Sequence, residues 1–476
     1  MVESIAYRNQ RFLKSTPNDL TQKKNDFMVN LRKKKRFNAS KQIREYHFKL
    51  YSENFESGRQ IIPNDQSQDF LVETTWLEDL ENLDINSPLP DIYEILKSLK
   101  TTILNKNSAL ALLITSGSLN FLLRLPNSAD PTIKYEIFQI LTSISTIKSK
   151  ELLNSCPDQI FLIILSYTQE NSDEILKKTL DSLIAFICVS QHFFEVFQTQ
   201  KLFPRLLNIL QKFRTLEIYQ KITELCLVLA DYDSLLTDYE VFLLLEILQE
   251  AVLFDEFHVK NLGILALGHL VRSDSTKIEQ FMEHEIFEIV FKWWETPELR
   301  ENTIKTLANL TSGTFKQTQK ILDLGLLDIY LSLLNLEVLE SLSYIYFSLS
   351  NIAAGSSSQL YQLVLHPVFE LALGKMAELD ENGKVEASFF VRNVLKLAGK
   401  DLKIHVFEMG ICEKVSSMME IGDAQGLLNF LAVFEEFLKV YGKDLFYSLG
   451  FGAVVEQLQR HKNPEIYMKC VCILEY

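Results

Sequence analysis

The chain has 476 residues, 47% of them hydrophobic and 23% charged, with a formal net charge of −14. That balance excludes a disordered polymer and supports a large buried core, and length alone would suggest about three ordinary domains. Only 16 Gly and 11 Pro accompany 32 Phe, which argues against a many-stranded β protein and for long helices with short connections.

In chain order, the first segment is basic. Residues 1–60 hold 14 Lys/Arg against 6 Asp/Glu, a net of +8, which leaves −22 on the remainder. A basic arm on an acidic body points to two partner classes, an acidic or nucleic-acid surface for the arm and basic ligands for the body. The alternative is that the acidity only keeps a large helical protein soluble. Met1 to Gln10 lacks an apolar core, so no signal peptide is expected. Asp19 to Ser52 has no Pro or Gly and is densest in charge at Arg32-Lys33-Lys34-Lys35-Arg36. It reads as one exposed, weakly amphipathic helix that is poorly ordered without a partner. A polar stretch with Gly58 and Pro63 follows. Residues 61–75 are its core and read as a linker.

From residue 76 to 476 the pattern is helical, and it repeats. Thr303-IKTLANLTSGTFKQTQ, Ser343-YIYFSLSNIAAGSSSQ and Ala387-SFFVRNVLKLAGKDLK align on Asn309, Asn351 and Asn393, each 42 apart. Each Asn ends a helical stretch, and a Gly follows four or six residues later, where a helix would stop. Weaker copies place His269, Val228, Ala185 and Ser143 at the equivalent position going backwards, and Glu436 going forwards, at spacings of 40–43. That period in an all-helical chain is the armadillo/HEAT range, with two or three helices per repeat. Within one repeat Ile304, Leu307 and Ala308 share an inward face. Leu327, Leu331 and Leu334 continue that spacing on the next helix, whose other side carries Leu326, Tyr330 and Leu333. A helix apolar on both sides must be sandwiched between neighbours, so each repeat is stabilised mainly by the repeats beside it. The expected fold is all-α, an armadillo-repeat right-handed superhelical solenoid with an N-terminal basic helical arm.

No apolar run reaches the ~18 residues of a spanning helix, so no membrane insertion is expected. Six Cys, at 156, 188, 226, 412, 470 and 472, form no CxxC pair and read as reduced core residues of an intracellular protein. No GxGxxG, GK[ST], GxSxG or HExxH occurs, His284-Glu285 lacks a second His, and Cys470/Cys472 has no partner pair for zinc. No enzyme, metal or cofactor is expected.

Four local matches carry a resemblance. Leu31-Arg-Lys-Lys-Lys-Arg36 looks like the LRKxKR core of an importin-β-binding segment, with Arg11-Phe12-Leu13-Lys14 upstream in place. Leu349-Ser-Asn-Ile-Ala-Ala-Gly355 is similar to an SNIxAG repeat signature, and Val455-EQLQRHKNPEIY to a final repeat. Together these resemble the importin-α family of nuclear import adaptors, over about residues 8–476. The resemblance implies that importin-β wraps the arm through Arg11, Lys14, Leu31, Arg32, Lys33, Lys34, Lys35, Arg36, Lys41 and Arg44. It implies an extended Lys/Arg-rich localisation signal in a concave groove, an export receptor at the C-terminal repeats, and shuttling between cytoplasm and nucleus. In that groove an Asn amide pins a peptide backbone, a Trp four residues earlier packs a Lys stem and cation, and acidic residues take the cationic head.

The chain departs from this pattern. Asn309, Asn351 and Asn393 persist, but Lys305, Phe347 and Phe389 stand four residues before them. Lys305 falls where the family tends to place an Arg. Earlier, Gln139/Ser143, Asp181/Ala185, Glu224/Val228 and Leu265/His269 provide no pair of ring and amide. The principal cargo site is thus eroded and part of the secondary one kept, while Asp181 and Glu224 would attract basic ligands only through screened charge. The KRR-like autoinhibitory cluster is reduced to Gln42-Ile43-Arg44 behind Lys41, which implies a lack of ordinary autoinhibition and a restricted or atypical cargo set.

Simpler readings stand beside these. The Arg32–Arg36 run could contact nucleic acid, although the −22 body opposes that. The three Asn could bond a neighbouring turn, and the two Phe could be core. Trp293 and Trp294 read as packing residues, and His269 as a surface or helix-end residue. The alternative function is a solenoid scaffold that holds a protein complex without carrying signals.

Overall fold

The computed structural model describes residues 88–105, 113–114, 122–123, 130–145, 153–154, 156–272, 274–336 and 341–476. The basic arm (1–60), with Arg11, Lys14, Leu31, Arg32, Lys33, Lys34, Lys35, Arg36, Lys41 and Arg44, and the linker (61–75) lie outside the described residues. Two compact bodies divide the chain between Leu270 and Val271, inside what the repeat spacing reads as one domain.

Among the described residues the α-helices of the first body are α1 (Leu89–Asn105), α2 (Pro131–Ile144), α3 (Asp158–Ser166), α4 (Asp173–Val189), α5 (Gln191–Thr199), α6 (Phe203–Lys212), α7 (Leu216–Ala230), α8 (Asp238–Leu253) and α9 (Phe257–Leu270). The second body holds five helix triplets. They are α10 (Ser275–Glu283), α11 (Ile286–Phe291) and α12 (Pro297–Leu310); α13 (Phe315–Asp323), α14 (Leu326–Asn335) and α15 (Leu342–Ala353); α16 (Ser357–Val364), α17 (Pro367–Lys375) and α18 (Glu381–Leu397); α19 (Lys400–Glu408), α20 (Ile411–Ser416) and α21 (Ala424–Tyr441); and α22 (Lys443–Ser448), α23 (Phe451–Leu458) and α24 (Pro464–Glu475). Three helices per repeat, the last one longest in all five triplets, account for the 42-residue period.

Local sequence sets these boundaries. Asp130, Asp274, Asp380 and Asp423 accept backbone N–H bonds at the starts of α2, α10, α18 and α21. Pro297, Pro367 and Pro464 stand in the first turn of their helices, where no N–H is needed. The first helix of a triplet turns into the second through a left-handed Gly at Gly325 (φ 89°), Gly410 (φ 78°) and Gly450 (φ 81°).

The third helices stack on one another: α4 on α7 and α7 on α9 in the first body, then α12, α15, α18, α21 and α24 in series in the second. The burial predicted for one repeat is seen in Ile304, Leu307 and Ala308, and in Leu326, Leu327, Tyr330, Leu333 and Leu334 on α14; Leu331 is half-buried. Each fully buried Ile or Leu among them removes apolar area worth about 1.5–3 kcal/mol from water, and neighbouring repeats supply much of the cover. Among the described residues no helix is long and apolar enough to cross a membrane.

Candidate functional site

The residues singled out by the repeat lie on the stacked third helices. Ser143, Ala185, Val228, His269, Asn309, Asn351, Asn393 and Glu436 occupy the same place near the C-terminal half of α2, α4, α7, α9, α12, α15, α18 and α21. We call this the ladder position. Because successive third helices pack on one another within each body, side chains at fixed offsets from it meet across the repeat boundary.

In the second body Asn351 is buried, and its Nδ2 donates to Thr311 Oγ1 of the preceding repeat at 3.3 Å. Its other amide atom, Oδ1, is buried and accepts no hydrogen bond. Asn393 Nδ2 donates to the Ser350 carbonyl at 3.0 Å and to Ser350 Oγ at 3.2 Å. Asn309 is half-buried in the same row. The second donor of the ladder amides is therefore not their whole use: they also tie one repeat to the one before it. Phe347 and Phe389, the rings expected as flat walls, are buried at 3% and 8% exposure.

Lys305 makes two contacts. Its Nζ lies 2.5 Å from Glu301 Oε1 on its own helix and 5.2 Å from the centre of the Tyr344 ring on the next third helix. Tyr344 was missed from sequence. It stands seven residues before Asn351, on the same side of α15, and the 39-residue step from Lys305 is the signal that could have found it.

The first body repeats that register with other chemistry. Asp181 on α4 and Lys221 on α7 are 40 residues apart, again four before one ladder position and seven before the next. Lys221 Nζ lies 2.9 Å from Asp181 Oδ1 and 2.9 Å from Glu224 Oε2. Gln220 Nε2 donates to the other Glu224 oxygen at 3.0 Å. The side chains of Asp181, Lys221 and Glu224 are 13–17% exposed. Burial pulls the ammonium down, but two carboxylates outweigh it and hold Lys221 above its ordinary value. Burial pushes Asp181 up, and Lys221 and Lys177 only partly offset that and the added push of the Glu224 charge. The charge expected of Asp181 and Glu224 is thus largely met inside the protein.

His269 stands at a helix end, one of its two expected placements, but not at the surface. It is buried near the end of α9, and its Nδ1 is 2.8 Å from Oδ1 of the fully buried Asp231 at the end of α7. A His here performs the tie that Asn351 performs later, because both place a ring or amide N–H one repeat back. Trp293 and Trp294 are half-buried in a 3-10 turn after α11, and Arg300 Nε donates to the Trp294 carbonyl at 2.9 Å, in keeping with a packing role. At the C-terminal end Glu436 is bonded by Lys403 at 2.5 Å and Lys439 at 2.8 Å, and Glu435 by Lys439 and Lys469. Among the described residues no group of three or more His, Cys, Asp and Glu is placed to hold a metal ion.

Comparison with known structures agrees with this architecture. An engineered protein of known crystal structure superposes with a TM-score of 0.67 at 15% identity, covering 84% of this chain and 97% of its own. The chain folds as an armadillo-type helical solenoid. Two designed armadillo repeat proteins, one in complex with the peptide (KR)4, match over 48% of this chain and 97% of theirs, each with a TM-score of 0.43 at 17% identity. No family model matches the sequence, and no curated protein matches it.

Proposed function

We propose that this solenoid is a binding adaptor that holds an extended segment of a partner protein along the ladder row of the second body. The observation that carries the reading is Asn351: a buried amide whose Nδ2 is engaged and whose Oδ1 has no donor. Leaving such an acceptor unmet costs about 1–3 kcal/mol; the atom is closed to solvent in the free chain, so a partner's peptide N–H meets it only when a side-chain shift opens the row. Asn393, one repeat on, and Tyr344, two turns before, extend the row.

In its finer form the proposal is an importin-α-like nuclear import adaptor, as the sequence resemblance implies. Importin-β then takes the arm through Arg11 to Arg44, and a Lys/Arg-rich signal is the implied cargo. An export receptor takes Val455 to Tyr476, and the protein moves between cytoplasm and nucleus. The four quoted motifs and the helical repeat support this reading. The scaffold alternative is favoured by a different observation: Asn393 spends its Nδ2 on Ser350, within the protein.

The test is a titration of fluorescent octapeptides, one of alternating Lys and Arg and one of alternating Ser and Gln, against the full chain and its Asn351→Ala/Asn393→Ala variant. Backbone capture by the ladder predicts a loss of about ten-fold or more for whichever peptide binds. Binding that ignores both substitutions would leave the scaffold reading.

A further inference from the structure

In every triplet of the second body two residues connect the first helix to the second. The connectors are His284-Glu285, Leu324-Gly325, Leu365-His366, Met409-Gly410 and Leu449-Gly450. Four successive triplets thus place a large apolar residue at the same corner, at steps of 41, 44 and 40 residues. Leu324, Leu365 and Leu449 are 48%, 67% and 48% exposed, and Tyr361 and Leu445, one turn before the last two, are exposed as well. A single exposed leucine is ordinary, but the same corner filled in four triplets makes a continuous surface. We infer that this row of corners is a docking surface for a basic amphipathic helix of a partner protein. It involves first and second helices only, so it stands or falls apart from the ladder on the third.

Charge sets the sign of the partner. Within four residues on either side of the five connectors there are eight Asp or Glu and two Lys, Lys320 and Lys414. All eight acids are exposed. Among the described residues Asp328 is the one of them paired with a basic side chain, His366 of the next corner at 3.2 Å. The row begins at an open cleft of about 720 Å³ between the first connector and α13. Met282, Phe287, Phe291 and Leu324 give it apolar walls, and Glu283, Glu285 and Glu288 line it beside Lys292 and Lys320. Lys320 Nζ is turned onto the Met282 carbonyl at 3.2 Å. An apolar anchor fits the cleft, and Lys or Arg next to it meets carboxylates that hold no cation of the protein.

Spacing and backbone chemistry favour a helix as the occupant. Second helices of successive triplets stack, α14 on α17, α17 on α20 and α20 on α23, so the corners follow one another at about one helix separation, ~8–10 Å. A helix rising ~1.5 Å per residue presents every seventh side chain at ~10.5 Å intervals. An extended segment also matches the step, at every third residue, but it would lay its backbone N–H and C=O groups against Leu and Met side chains that cannot bond them. A helix satisfies those groups itself and needs only an apolar stripe with basic flanks.

The probe is a fluorescent peptide of four Leu-Lys-Gln-Ala-Lys-Ala-Gln heptads, ~42 Å long as a helix, with a control in which every Lys is Glu. Both are titrated by anisotropy against the full chain at about 0.15 M salt. The lysine peptide should bind and the glutamate peptide should not. Leu324→Gln/Leu365→Gln, at exposed positions that leave the core intact, should weaken binding about ten-fold or more. Glu283→Gln/Glu285→Gln/Glu288→Gln should weaken it about three-fold and flatten its salt dependence. Asn351→Ala/Asn393→Ala should leave it within about two-fold, which separates this surface from the ladder. Circular dichroism checks that each variant folds. Binding that ignores the leucine substitutions would be general attraction to an acidic body and overturns the inference, as does a wild type that does not bind. Binding gained only when Arg32 to Arg36 are changed to Ala would assign the row to the chain's own arm and likewise overturn it.

Discussion

Gln359 donates through Nε2 to the backbone carbonyl of Phe315, 44 residues earlier, at 2.8 Å. Its Oε1 simultaneously accepts from the Ser356 N–H at 3.0 Å, while Ser356 Oγ accepts from the Gln359 N–H, which closes a capping box at the start of α16. Gln317 does the same one repeat earlier: it caps α13 through Thr314 and donates to the Ser275 carbonyl at 2.7 Å. A helix start and a repeat boundary are thus fixed by one side chain. Gly313 and Gly355 leave room for it, since a Cβ at either would fall on the glutamine Oε1.

Gln359→Ala should therefore remove a cap and a boundary bond together. We expect a destabilisation of about 2 kcal/mol, the sum of a lost capping box and an unmet Phe315 carbonyl. Urea unfolding of the full chain reads it as a lower midpoint at unchanged slope. A change below 0.5 kcal/mol would mean that water replaces the glutamine at that boundary.

His269→Ala leaves the buried Asp231 carboxylate without the ring nitrogen that meets it. A loss of about 2 kcal/mol is expected. Hydrogen exchange should show faster opening of α7 and α9, the two helices the pair joins, and little change in the second body.

Acid should loosen the C-terminal repeats. Burial raises the Glu435 and Glu436 carboxyls, but hydrogen bonds from Lys469, Lys439 and Lys403 outweigh it and hold both below the ordinary 4.5. A folded-state value below the unfolded one contributes stability that is present above the unfolded value and is lost as pH falls through the folded value. Lys439→Met should lower the unfolding midpoint at pH 7, and the gap to wild type should shrink as pH falls below 4.5. A gap independent of pH would assign the effect of Lys439 to packing.

The arm is tested directly by titration against importin-β, wild type beside a variant with Arg32 to Arg36 changed to Ala. Tight binding that the variant loses is the expected result. Absence of binding by the wild type would remove the transport reading and leave a peptide-binding solenoid whose arm meets another partner.

By itself the sequence determined the repeat and its register. Spacings of 40–43 residues, Asp, Ser and Thr at helix starts and Gly at turns are local signals, because caps and turns are satisfied within a few residues. The inward stripe of Ile304, Leu307 and Ala308 follows from helical periodicity in the same way. The row of Asn309, Asn351 and Asn393 was legible for that reason, and so was the difference of the early repeats.

What those rows touch was decided only by the tertiary structure. Whether Lys221 reaches Asp181, or Lys305 the Tyr344 ring, depends on the rotation and separation of two packed helices whose axes stand ~8–10 Å apart. No local pattern fixes that phase, so Asp181 and Glu224 read as open acids and His269 as a surface or helix-end residue with no partner assigned. Packing the third helices brought a lysine onto the acids and set the histidine on Asp231, turning positions that looked available into ones filled from within.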